Sequence, residues 1–214
     1  MSDNDNDRSA LLTALTTEHL VLQAAADATV ADAAARSSLY VFSLSSSLVA
    51  IGFMAQSPEV LAVFLAVVLP AIFLIGVFTV VRLVDTALEN NQYMAGIARI
   101  RAYYRTITPD AARHFAPGTG RWPEGPEPAL GLGTLVAFLG TTASMIAFIN
   151  SVVAGVGVAL LVDVFVGGAS IGLRLLCAVV AVVALMVAFL LFQRWRFSDP
   201  TGGQAGAGEG GATE

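Results

Sequence analysis

The chain has 214 residues, of which 56% are hydrophobic and only 13% are charged, and its mean hydropathy is positive. Because about a quarter of the residues in a soluble globular domain are charged, this composition excludes that class and predicts an integral membrane protein. All 11 basic residues are arginines and the net charge is -5, so nucleic acid is not expected as a partner. The single cysteine, Cys177, has no neighbouring His or Cys, which argues against a disulfide or a metal site.

Two apolar segments, residues 39–81 and 130–192, are each too long for one membrane crossing, which takes about 20 residues. Pro58 and Glu59 interrupt the first segment. The second contains a Gly-rich connection at 154–172, which is interfacial, re-entrant or an extension of the third span. The predicted spans are residues 38–56, 60–81, 130–153 and 173–193. The predicted fold class is therefore an all-α integral membrane protein with four transmembrane helices.

The positions of the arginines predict the orientation. With four spans, ten of the 11 arginines lie on one side, and only Arg174 lies near the other. Basic residues collect on the cytoplasmic side, so we expect a bacterial-type cytoplasmic membrane with both termini inside and no cleavable N-terminal signal. A five-span alternative, crossing again at residues 156–171, would place Asp163 at membrane depth and move the C-terminus outside.

Two spans continue as amphipathic helices outside the membrane. The periodic residues before the first span are Leu12, Leu15, His19, Leu22, Ala26, Val30 and Ala33; those after the second are Val84, Leu88, Asn91, Ala95, Ala98 and Ala102. They predict cytoplasmic helices at 9–37 and 82–107, continuous with the spans. If these helices turn at Ser57 and run antiparallel, residues whose numbers sum to about 115 face each other. Asn90 and Asn91 would then fix the register, as buried amides do in coiled coils.

The remaining segments are predicted to lack regular structure. Residues 1–8 are acidic, residues 108–129 form a Pro/Gly-rich connector, and residues 194–214 form a Gly-rich tail. Both ends of the chain are therefore expected to be disordered.

Small residues recur on one face of the third and fourth spans. The third-span seam is Gly133, Ala137, Gly140, Ser144, Ala147 and Ser151, and the fourth-span seam is Cys177, Ala181, Ala184 and Ala188. In lipid, small side chains let helix backbones approach closely. We expect the two seams to face each other or a copy of themselves, with Cys177 as a packing residue.

The first two spans carry candidate functional residues. Ser43, Ser46 and Ser47 predict either a tight interface, with hydroxyls bonded to carbonyls one turn back, or a hydroxyl-lined pore where copies of the helix gather. Pro70 interrupts the helical hydrogen bonding of the second span and, with Gly76 nearby, is a candidate hinge.

Four polar residues outside the spans are also candidates. Asp163 is a candidate outer pore mouth for cations, or an ion-pair partner of Arg174. Arg101 and Arg105, one turn apart, could hold a phosphate-bearing ligand or pair with the acidic N-terminus. His19 is predicted to pack in the seam between the helices or to act as a sensor.

The sequence contains no assembly of groups for catalysis. No span has an acidic residue in its interior, and both histidines are predicted to be cytoplasmic, so no nucleophile–base pair or metal site forms. We expect no enzymatic activity and no cofactor. An Ala-rich stalk buries little surface alone, which predicts a homo-oligomer. The leading hypothesis is a channel with a cytoplasmic helical bundle. The alternatives are a membrane-anchored structural or signalling protein whose stalk docks a cytoplasmic protein, and a carrier for an apolar or lipid-like substrate.

Overall fold

The computed structural model describes residues 2–107, 110 and 141–198, with side chains from residue 5 onward. These residues form four helices: α1, Ser2–Met54; α2, Pro58–Ile107; α3, Thr142–Val166; and α4, Ile171–Ser198. No strand occurs among them, so the all-α prediction is confirmed for this part of the chain. Each helix is long and apolar enough to span a membrane, and the predicted number of such helices is also confirmed.

Helix α1 begins at Ser2, whereas the sequence predicted disorder for residues 1–8. Carboxylates interact favourably with the positive end of a helix dipole, and Asp5 and Asp7 lie near that end. An Nη2 donor of Arg8 also lies 3.4 Å from the carbonyl oxygen of Ile107. These interactions explain why an acidic segment continues the helix.

The connection between α3 and α4 is shorter than predicted. Helix α3 continues to Val166, so most of the segment at 154–172 is an extension of the third helix. Within the described segment 154–172, Gly167 and Gly168 are the glycines with positive φ, 54° and 86°, which glycine adopts without steric cost. Gly155 serves packing instead, because a Cβ there would lie 2.7 Å from a methyl carbon of Val182. Residues 130–140 of the predicted third span lie outside the described residues.

The chain divides into two compact units. The first unit comprises Met1–Ala33 and Asp85–Gly133, and the second comprises Ala34–Val84 and Thr134–Glu214. Helices α1 and α2 contribute residues to both.

In the first unit, contacts between α1 and α2 define a register. The hydroxyls of Thr16 and Tyr104 lie 3.4 Å apart, and the Thr29 hydroxyl lies 3.3 Å from Oδ1 of Asn90. The residue numbers in these two pairs sum to 120 and 119, whereas the predicted register has pairs that sum to about 115. Each residue of α1 therefore meets a residue about one helical turn further along α2 than predicted.

In the first unit, the covered face of α1 is largely the predicted one, with Val30 as the exception, whereas the covered face of α2 differs in part. Thr29 is 8% exposed, whereas Val30 is 61% exposed. The Thr29 hydroxyl donates a hydrogen bond to the carbonyl of Ala26 at 2.7 Å. A polar residue can therefore occupy the inward position because its hydroxyl has a hydrogen-bond partner. In α2, Ile97 and Ile100 are buried. Three residues predicted to face α1 are exposed instead: Asn91, Ala95 and Ala102. Large apolar side chains thus take the covered positions and leave these residues facing outward.

Candidate functional site

A buried polar contact of the second unit joins three helices. Tyr40 of α1 is 0% exposed and Asn150 of α3 is 5% exposed. The Tyr40 hydroxyl donates to Oδ1 of Asn150 at 3.3 Å, and Nδ2 of Asn150 donates to the carbonyl oxygen of Phe73 in α2 at 3.2 Å. Buried amides are stable when both ends are bonded, so this contact, here called the Asn150 node, holds α1 and α2 against α3.

Gly76 belongs to the same contact. It is buried, and a Cβ at this position would overlap the side-chain amide of Asn150. The glycine therefore lets the backbone of α2 approach the amide, which gives Gly76 a packing role where the sequence suggested a hinge. Sequence reasoning missed Asn150, although its one signal was present: a lone amide in an otherwise apolar helix usually has a specific partner.

Pro70 lies within α2, which continues without interruption from Pro58 to Ile107. The ring is on the exposed side of the helix. A proline in a helix leaves a carbonyl one turn earlier without its donor. Pro70 is therefore placed where α2 can bend, one and a half turns before Gly76, and its role as a hinge stays a prediction.

The three candidate pore-lining serines of α1 differ in their burial. Ser43 and Ser47 are half-buried and lie on the same side of α1 as the buried Tyr40, whereas Ser46 is exposed. The Ser43 hydroxyl donates to the carbonyl of Leu39, and the Ser47 hydroxyl donates to that of Ser43, both at 2.8 Å. Each hydroxyl proton is thus committed to the backbone, and the oxygen lone pairs remain as acceptors.

Asp163 and Arg174 form an ion pair between the end of α3 and the start of α4. Nη2 of Arg174 lies 2.5 Å from Oδ1 of Asp163, with the side chains 34% and 42% exposed respectively. Nε of Arg174 also donates to the carbonyl of Ala169 at 3.0 Å. The pair therefore closes the turn between the two helices, and the positive partner offsets the charge of the candidate mouth residue.

The predicted third-span seam is buried where it can be described. Ser144, Ala147 and Ser151 are buried, and the Ser151 hydroxyl donates to the carbonyl of Ala147 at 2.7 Å. Gly133, Ala137 and Gly140 lie outside the described residues. Close packing of α3 on α4 continues at Gly155, one turn beyond Ser151.

The predicted fourth-span seam is only partly covered. Cys177 and Ala181 are half-buried, whereas Ala184 and Ala188 are exposed. The face of α4 that packs inward is rotated around the helix axis from the predicted seam. Ala178 and Val182 lie next to Gly155 of α3, and Gln193 is buried. The exposed alanines are thus directed away from α3.

The three candidate residues of the first unit all lie in or beside its covered region. Arg101 is buried, and His19 and Arg105 are half-buried. Within residues 5–107, 110 and 141–198, no group of three or more His, Cys, Asp or Glu side chains has a geometry suited to a metal ion.

No known protein family, curated protein or solved structure is significantly similar to this chain.

Proposed function

We propose that this chain is the subunit of a homo-oligomeric membrane channel. In this proposal the second unit spans a cytoplasmic membrane, and the first unit is an antiparallel stalk that forms a cytoplasmic bundle with its copies. Four apolar helices support the membrane assignment, and the arginine distribution supports cytoplasmic termini.

One observation carries the channel proposal. Ser43 and Ser47 lie one turn apart and are only half-buried, and both hydroxyls are bonded to the backbone. Neighbouring apolar side chains on α1, including Phe42 and Phe53, are largely exposed. An apolar helix with so little cover within its own chain is suited to contact with lipid and with copies of itself. Where copies gather, the serine oxygens would offer acceptors to a permeating species.

Current across planar bilayers that contain the purified protein tests this proposal. Replacing both serines, Ser43→Ala and Ser47→Ala, is expected to change the single-channel conductance. The matched control is Ser45→Ala, which removes an exposed hydroxyl that lies about 160° around the helix from Ser43. Protein that carries no current under any voltage, pH or ligand tried would contradict the channel.

A second candidate function, docking of a cytoplasmic protein, is favoured by a different observation. Leu20, Val21 and Val30 are largely exposed in the first unit, outside the predicted spans. Apolar side chains exposed to water often mark interaction surfaces. If docking is the function, the double variant Leu20→Ser and Val21→Ser loses a co-purifying partner. If the protein is a channel, this variant would keep its current. If it is a carrier for an apolar substrate, neither the wild type nor the variant would carry current, and the substitutions would not change transport.

The orientation is tested separately by thiol labelling in intact cells. With Cys177 replaced by alanine, a single cysteine introduced by Ser2→Cys or Glu214→Cys is expected to react with a membrane-impermeant reagent only after the cells are opened. Labelling of either position in intact cells would place that terminus outside.

A further inference from the structure

We infer that the first unit binds a soluble phosphate-bearing ligand through a basic cluster, defined as His19, Arg101 and Arg105. This binding role goes beyond the proposed channel and does not depend on it, because all three residues of the cluster belong to the first unit. The sequence allowed either a ligand site or a set of ion pairs, and three observations favour the ligand.

The first observation is that helix pairing brings the cluster together. The hydroxyl of Thr16 contacts that of Tyr104 at 3.4 Å. His19 lies almost one turn after Thr16 in α1, and Arg101 lies almost one turn before Tyr104 in α2. Higher-numbered residues of α1 contact lower-numbered residues of α2. His19 and Arg101 therefore occupy the same level. Arg105 follows one turn along α2.

The second observation is that burial leaves polar atoms of the cluster without partners. Nδ1 of His19 and Nε of Arg105 are both removed from solvent, and neither has a hydrogen-bond partner within the described chain. Arg101 is 8% exposed and interacts with other groups of the chain. Buried polar atoms are nearly always bonded, and buried cations are nearly always paired. An anion that accepts from His19 and Arg105 would meet both requirements.

The third observation is an open groove on α1 near the cluster. Its lining residues are Asp5, Arg8, Ser9, Leu12, Thr13 and Thr16. Thr16, at one end, contacts Tyr104 and lies next to the level of His19. The groove therefore opens to solvent next to the level of His19, and its lining carries opposite charges on Arg8 and Asp5.

The donor chemistry selects phosphate. Two arginines one turn apart present planar forks that match the oxygens of a phosphate group, and an imidazole N–H adds a third direction. The chain itself accounts for part of this arrangement, because Arg105 lies in the last turn of α2, where a cation interacts favourably with the helix dipole. That interaction leaves the buried Nε without an acceptor.

Calorimetric titration of inorganic phosphate and pyrophosphate into the full chain, held in nanodiscs of a neutral lipid, tests the inference. Saturable binding is expected, with Arg105→Gln weakening it about tenfold, since charge-assisted hydrogen bonds are strong. His19→Leu is expected to weaken it as well. Arg105→Lys keeps the charge but loses the fork, so its affinity should fall between those of the wild type and the glutamine variant.

The matched control is Arg99→Gln, which removes an equal charge from an exposed position of the same helix. Equal weakening by Arg99→Gln and Arg105→Gln would reduce the effect to net charge and overturn the inference. Absence of saturable binding by the wild type would also overturn it. A third contrary result is loss of phosphate binding in nanodiscs of an anionic lipid, which would assign the cluster to lipid headgroups. Circular dichroism of each variant checks that the helices are retained, and the lysine variant replaces any glutamine variant that does not fold.

Discussion

The side-chain carbonyl of Asn150 lies 3.3 Å from the hydroxyl of Tyr40, although 110 residues separate the two along the chain. This contact is buried, and the other end of the same amide is bonded to the carbonyl of Phe73. One side chain of α3 thereby determines which faces of α1 and α2 turn inward, and this accounts for the half-buried positions of Ser43 and Ser47, on the same side of α1 as Tyr40.

Asn150→Leu is expected to destabilise the second unit. The substitution leaves the Tyr40 hydroxyl buried without its acceptor, at a cost of about 1 to 3 kcal/mol in the free energy of unfolding. Denaturation of the purified protein in mixed micelles measures this loss. Asn91→Leu, which replaces an exposed amide of α2, should change the unfolding free energy by only about 0.5 kcal/mol. Equal effects of the two variants would show that the Asn150 node contributes nothing specific.

Gly76→Ala is expected to destabilise the same contact through overlap with the Asn150 amide. Overpacking of this kind costs about 1 to 3 kcal/mol. In a chain that already carries Asn150→Ala, Gly76→Ala should cost less than it does in the wild type, because the atoms that the new methyl group meets are absent. Gly52→Ala provides the control, since a Cβ at Gly52 has nothing within 4 Å. A Gly76→Ala protein as stable as the wild type in mixed micelles would argue against close approach of the helices here.

Gly155→Ala and Gly157→Ala should differ, although both glycines lie in α3 two residues apart. A Cβ at Gly155 would lie 2.7 Å from a methyl carbon of Val182 and 3.1 Å from the Ala178 carbonyl oxygen, whereas Gly157 has open space. Gly155→Ala is therefore expected to lower the thermal unfolding temperature in detergent, and Val182→Ala to rescue it partly. Gly157→Ala should be neutral or stabilising by up to about 1 kcal/mol. The reverse order of the two variants would contradict the packing of α3 on α4.

The register of the first unit is testable by disulfide formation. In a chain with Cys177→Ala, the pair Thr16→Cys and Tyr104→Cys is expected to be joined by a bis-methanethiosulfonate reagent, which forms a disulfide with each thiol and spans the gap left by the Tyr104 ring, because the native hydroxyls lie 3.4 Å apart. Pairing Thr16→Cys with Tyr103→Cys should give little product, since Tyr103 is exposed. Gel mobility without reductant reports the bond. Preferential cross-linking at 103 would mean that α2 presents a different face to α1.

Arg174→Gln is expected to cost more stability than Asp163→Asn. Both variants break an ion pair whose members are 34% and 42% exposed, which contributes about 0 to 1 kcal/mol after solvent screening. Arg174 additionally donates to the carbonyl of Ala169 in the turn, so its loss removes a second interaction. Unfolding in mixed micelles at low and high salt separates the two contributions, because only the ion pair is screened by salt. A larger cost for Asp163→Asn would contradict the assignment.

Sequence reasoning anticipated the helices because their signal is local and dense. The apolar segments are too long for one crossing, and Pro58 and Glu59 mark the only break in the first segment. Sequence reasoning was less successful with faces. In α2, Ala95 and Ala98 have the same three-residue spacing as Ile97 and Ile100. The structure buries both isoleucines and leaves Ala95 exposed. Periodicity predicts that a helix has an inward face, but packing against the partner decides which one.

The glycines show the same division. The sequence alone gives no reason to treat Gly155 and Gly167 differently, because both lie in the same Gly-rich segment. In the structure, Gly155 lies inside α3, whereas Gly167 ends that helix with a positive φ. Composition, which reflects each residue's own affinity for lipid or water, was sufficient to predict four apolar helices, whereas the orientation inferred from the arginines stays a prediction. The Asn150 node, the rotation of α4 and the level shared by His19 and Arg101 depend on contacts between residues far apart in the chain. Such contacts form only once the helices have packed, because hydrogen-bond partners and steric fit belong to pairs of helices rather than to single ones.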